Sequence, residues 1–192
     1  MSSIVVDHLS AKFVNDDSVG IAYIYCNYQR QQEQRPADLL SSLLKQLAQK
    51  QPTMPIDVKN LYKFHVDNGT RPSFGEIMKV LRSIAGSYYR VFIIIDALDE
   101  CHFSNKGFDQ ILSELFNLQV HAQVNLFTTS RFIPEITSQF EGCIWKEIRA
   151  EDDDVLRYIN KRLSLLPQTR KSKYQDVQNA IRSEVLKAAD GM

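Results

Sequence analysis

The residues best able to do chemistry lie together between Arg90 and Cys101, a stretch that reads RVFIIIDALDEC. Four consecutive apolar residues, Phe92 to Ile95, run into three carboxylates, Asp96, Asp99 and Glu100. A β-branched run this dense predicts a strand buried on both faces of a parallel sheet, with the carboxylates emerging at its C-terminal end. In open α/β sheets that end is where ligands bind. An Asp followed three and four residues later by Asp and Glu offers one oxygen to a hard cation and a second carboxylate to a water. The blander reading is a core strand that leaves through a solvated acidic turn, since short acidic motifs recur by chance.

Other reactive groups carry less. His102 follows the acidic cluster but has no partner at a useful spacing, so it reads as loop. Tyr23, Tyr25 and Tyr28 could stack on a base, although packing in the core and at its rim is the simpler role. The acidic run Glu151 to Asp154 falls where a helix begins, and carboxylates favour the positive end of a helix dipole. Arg170, Lys171 and Lys173 read as solvated surface in a polar linker over 167–173. The three cysteines, Cys26, Cys101 and Cys143, are odd in number and widely separated, which argues against a disulfide framework or a zinc site and fits a reducing cytoplasm.

The elements that would position the acidic cluster alternate along the chain. Ile4, Val5, Leu9 and Phe13 predict an amphipathic helix from Ser2 to Phe13, and Ile21 to Cys26 (IAYIYC) a buried strand. Leu39, Leu40, Leu43, Leu44 and Leu47 form the stripe of a helix over 36–51, opened by Pro36. The breaker-rich segment 52–71 has room for a short helix around Leu61. Ser73, with Glu76 in the capping-box position, starts a helix to about Ala85. After RVFIIID come a helix over 107–118, a strand over 122–128, a short helix from Pro134 to Phe140 and a last strand over 143–148. Helices over 152–163 and from about Tyr174 end the chain, so a soft boundary near Ala150 divides an α/β core from the start of a helical part.

With 192 residues, 44% apolar and 24% charged, the chain has the composition of an ordinary globular protein. Its 23 basic and 23 acidic residues cancel, which points to neither nucleic acid nor a membrane surface as partner. No apolar run approaches the length of a membrane span.

Read together, IAYIYC, PADLLSSLLKQLAQ, VFIIIDALDEC, NLFTTSR and IRAEDDDVLRYI resemble the NACHT branch of the STAND P-loop NTPases. Within that branch they look most like the nephrocystin 3-like N-terminal type, found in large multidomain sensors. The resemblance implies a three-layer P-loop NTPase sheet of the additional-strand type, with VFIIID as its Walker B strand. It implies that Asp96 holds the magnesium of ATP or GTP, and that Asp99 or Glu100 polarises the attacking water. Arg131 matches the sensor 1 arginine beside the γ-phosphate, where a guanidinium stabilises charge developing in phosphoryl transfer. Thr128, Thr129 and Ser130 shape that strand end. Ala97 departs from the glycine common at its position, and a methyl group there should be tolerable.

The phosphate cradle of that family, GxxxxGK followed by Ser or Thr, does not occur: none of the seven glycines precedes a lysine. The expectation is a chain cut just downstream of that loop. The P-loop strand, which in such sheets lies between those near Leu126 and Trp145, would then be missing. Strand edges left unpaired predict poor stability or aggregation. Two functions follow, a partial nucleotide switch with weak or no hydrolysis and a non-catalytic remnant or protein-interaction domain. The expected partners are nucleotide and other parts of a multidomain cytoplasmic sensor.

Overall fold

The RVFIIID run forms the middle strand of a three-stranded parallel sheet in the computed structural model, which describes residues 2–101, 105–149, 151–164 and 171–189. The strands, β1 (Val19–Tyr25), β2 (Arg90–Asp96) and β3 (Val124–Thr128), lie in the order β1-β2-β3. Tyr25 stands opposite Asp96, and Ile95 opposite Thr128. Among the described residues eight α-helices accompany this sheet, and the chain is α/β.

Strand order explains where the first helices go. The crossovers β1 to β2 and β2 to β3 step in the same direction, and connections of one hand then lay their helices on one face. On that face α2 (Pro36–Lys50), α4 (Phe74–Ser87) and α5 (Asn105–His121) bury Leu40, Leu43, Leu47, Leu81, Leu112 and Leu115 against Ala22, Ile24, Val91, Ile93 and Ile95. The capping box expected at Ser73 and Glu76 is present and sets the start of α4. Helix α3 (Ile56–Asp67) is three turns long and packs on α4.

The other face is thin. Among the described residues of this unit α1 (Ser2–Lys12) covers it, with Val6, Val19, Ile21 and Ile94 buried and Val5, Leu9, Phe13, Phe92 and Phe127 partly so. Phe13 stacks on Phe92 at 5.7 Å between ring centres. Beside them a cleft of about 240 Å³, lined by Val5, Leu9, Phe92, Asn125, Leu126 and Phe127 among others, lies between α1 and β3.

The two edges of the sheet also differ. Along β1, Gln46 of α2 accepts the Tyr23 N–H at 3.0 Å and donates to the Tyr23 carbonyl at 2.8 Å, doing at one residue what a neighbouring strand would do. In β3 the Gln123 carbonyl and the Thr129 N–H bond to β2, so alternation turns the backbone groups of Leu126 and Thr128 outward. No strand pairs with them among the described residues.

The chain divides into two compact units, Met1–Glu141 and Gly142–Met192. The first also holds α6 (Pro134–Thr137) and a following 3-10 turn to Phe140. In the second, α7 (Asp152–Leu163) and α8 (Lys171–Ala189) pack together, with Arg182 donating to Asn160 at 2.9 Å. Asp152, Asp153 and Asp154 fill the first turn of α7, as their charge favours.

Three expectations need correction. Residues 143–148 are not a strand; Ile144, Trp145 and Ile148 are exposed. A short β-prone run becomes a strand only where a neighbour completes its ladder. Cys26 and Cys101 are joined by a disulfide, although the cysteine count argued against one. Parallel pairing brings the C-terminal ends of β1 and β2 together, so residues 75 positions apart meet with Cα atoms 5.4 Å apart. Lys171 and Lys173 belong to α8 rather than to a linker. His102, Ala150, Pro167 and Arg170 lie outside the described residues. No helix among those described is long and apolar enough to cross a membrane.

Candidate functional site

Asp96 ends β2 on the thin face, by strict alternation with Phe92 and Ile94. Its Oδ1 accepts two hydroxyl groups. Thr129, just past β3, donates at 2.7 Å, and Ser2, in the first turn of α1 and 1% exposed, donates the second. Thr129 Oγ1 in turn accepts the Ala97 N–H at 3.0 Å. Two strands and a helix therefore converge on one carboxylate oxygen. No hydrogen bond among the described residues reaches Oδ2.

After Asp96 the chain reverses through Ala97, which takes the left-handed conformation at φ 53°, ψ 53°. An alanine pays a steric cost there of roughly 1–2 kcal/mol that a glycine avoids. The turn is held by the Leu98 N–H donating to the Thr129 carbonyl at 2.8 Å, and it leads into a 3-10 turn, Leu98–Glu100. Leu98 is buried, which leaves Asp99 and Glu100 to face the strand ends.

Asp99 and Glu100 have different partners. Asp99 Oδ2 accepts from Arg131 Nε at 2.6 Å and Oδ1 from the Arg131 N–H at 3.1 Å. The Asp99 side chain is 4% exposed and that of Arg131 77%. Burial alone would push the Asp99 carboxyl up; the Arg131 guanidinium and N–H bonds outweigh it and hold the carboxyl below its ordinary range. Arg131, bonded to Asp99, is raised above its ordinary value. Glu100 Oε2 accepts the Tyr28 N–H at 3.2 Å, and among the described residues no hydrogen bond reaches its second oxygen. Tyr23 and Tyr25 sit edge to face at the rim of β1, half exposed, with centroids 5.5 Å apart. Partial burial, the neighbouring Tyr23 and the carboxylates of Asp96 and Asp7 push the Tyr25 phenol up.

Among the described residues no group of three or more His, Cys, Asp or Glu side chains could hold a metal. A self-sufficient metal centre is thus not what these residues form. Magnesium, though, is ordinarily held by one or two carboxylates with waters and substrate phosphates completing its shell. The one uncommitted oxygen of Asp96 fits that smaller role.

A family model described as Nephrocystin 3, N-terminal, matches residues 1–131. The chain belongs to that family. No curated protein matches it. The nephrocystin 3 N-terminal match takes in α1, the whole sheet and every candidate residue, with Arg131 as its last position. Within it the structure brings Asp96, Asp99, Glu100 and Arg131 to one end of the sheet, and it ties Arg131 to Asp99 rather than leaving it free. The two hydroxyls on Asp96 were not assigned from sequence. Thr129 could have been found, because a hydroxyl one residue past β3 comes level with the last residue of β2; nothing in the sequence singles out Ser2.

Proposed function

We propose that the chain is a nucleotide-switch module of the NACHT type that retains the cation and water-polarising half of a P-loop NTPase site without the phosphate-cradling loop. The observation that carries this is the setting of Asp96: the end of the middle parallel strand, beside the first turn of a helix, with one oxygen fixed by Ser2 and Thr129 and the other without a hydrogen bond among the described residues. In this reading the sheet is the P-loop NTPase sheet, Asp96 is the magnesium ligand, and Glu100 rather than Asp99 polarises water. Arg131 leaves Asp99 to meet a γ-phosphate. Bound magnesium would neutralise phosphate charge. Without GxxxxGK the backbone donors that hold phosphates are lacking, so ATP or GTP binds weakly and turnover is slight or absent. The module would act in the cytoplasm as part of a larger multidomain sensor.

The Arg131 to Asp99 pair favours a second reading, a non-catalytic interaction domain, because it engages two of the three catalytic candidates with each other. Titration of the full chain with a fluorescent nucleotide and magnesium separates them. The switch reading expects magnesium-dependent binding weaker than about micromolar that Asp96→Ala abolishes. Binding that ignores both magnesium and Asp96→Ala, or no binding at all, leaves the interaction domain. Micromolar binding with measurable hydrolysis would show that the missing loop is dispensable and overturn the proposed weakness.

A further inference from the structure

The acidic turn is held from two sides. Toward β3, the Leu98 N–H bonds to Thr129 and Asp99 to Arg131. Toward β1, among the described residues, the ties are the Tyr28 N–H on Glu100 and the disulfide between Cys26 and Cys101. Cys26 directly follows β1, where its N–H donates to the Asp96 carbonyl at 3.0 Å, and Cys101 directly follows Glu100. Both cysteines are buried, at 7% and 5% exposure, within the apolar cluster that includes Ile24 and Leu98.

We propose that Cys26 and Cys101 are a reversible thiol–disulfide clamp that sets how tightly the acidic turn, and Glu100 with it, is held to the end of β1. Two thiols can occupy this site without leaving a costly polar group behind, because a buried cysteine behaves as a small apolar residue. Reduction therefore preserves the fold and removes only a tether. The reductant is a dithiol. One of its thiolates attacks a cystine sulfur, the bond between the two cysteine sulfurs breaks, and the second dithiol sulfur closes the reductant's own disulfide. Two electrons pass to the cystine, and the two protons of the dithiol end on Cys26 and Cys101. The turn is then held from the β3 side, with the Tyr28 to Glu100 bond as its remaining tie to β1. This inference stands apart from nucleotide binding, since it concerns the turn and not what the turn acts on.

The test uses the full chain carrying Cys143→Ser, which removes the exposed free thiol and with it crosslinking between molecules. After equilibration across oxidised and reduced dithiothreitol ratios, alkylation under denaturing conditions and intact mass count the free thiols. The expected result is none at the oxidising end and two at the reducing end, with an unchanged circular dichroism spectrum. Hydrogen exchange at the Tyr28 and Cys101 amides should quicken roughly tenfold on reduction while that of Ile93 stays the same. Cys101→Ser should exchange like the reduced chain; if it does not fold, the reduced chain itself supplies the comparison. Two free thiols at every ratio, equal exchange in both states, or global unfolding on reduction would each overturn the proposal.

Discussion

The two faces of one strand differ more than its sequence suggests. Among the described residues of this unit, Val91, Ile93 and Ile95 point into a core built by three helices, whereas Phe92, Ile94 and Asp96 point to a face covered by one. The thick face fixes the backbone of β2, and the thin face, with its cleft, carries the carboxylate and its hydroxyl partners. The main core and the candidate site are thus separated by the two-residue period of a strand. A residue added to or removed from β2 would exchange them.

Truncating alternate residues tests that separation most directly. Ile93→Ala removes a fully buried side chain from the thick face and should cost about 3–4 kcal/mol in urea unfolding. Phe92→Ala, although it removes more atoms, leaves a space already continuous with the cleft and should cost roughly 1–2 kcal/mol. Equal losses would mean that the thin face is covered in solution and that the comparison fails.

Smaller effects sharpen it at the strand end. Ala97→Gly relieves a left-handed alanine but loosens the unfolded chain, so the net gain should be no more than about 1 kcal/mol, read as a raised unfolding midpoint. The smallest effect expected is on the acid limb. Asp99 binds its proton less readily when folded, so its contribution is complete above the ordinary carboxylate range and fades as pH falls through the lowered folded value. Asp99→Asn should flatten stability against pH below about 4 and leave the slope near neutrality unchanged. An unchanged acid limb would show that Arg131 does not hold Asp99 in solution.

Much of this arrangement could be read from sequence, for local reasons. The stripe Leu39 to Leu47 and the Ser73 to Glu76 box specify helices whatever surrounds them, and IAYIYC and VFIIID hold enough apolar residues to demand burial. The match over residues 1–131 agrees with the nephrocystin 3-like resemblance that those motifs carried. What escaped depends on pairing across distance. CIWKEI has the composition of a strand but no ladder, and Cys26 and Cys101 are neighbours only because β1 and β2 run parallel in register. The candidate site could be listed from sequence as residues, not as a set of bonds. That Asp99 is tied to Arg131 while Glu100 is tied to the Tyr28 N–H depends on side-chain directions that spacing does not encode.

The single glutamine on the outer flank of β1 gives the sheet a direction of growth. With both backbone groups of Tyr23 already taken by Gln46, and no strand paired with β3 among the described residues, a fourth strand would join the sheet beside β3 more readily than beside β1. Its arrival there would turn β3 from a margin into an interior strand and roof the cleft from the side. Asp96 and Thr129, now next to the rim, would then stand at the middle of a wider sheet.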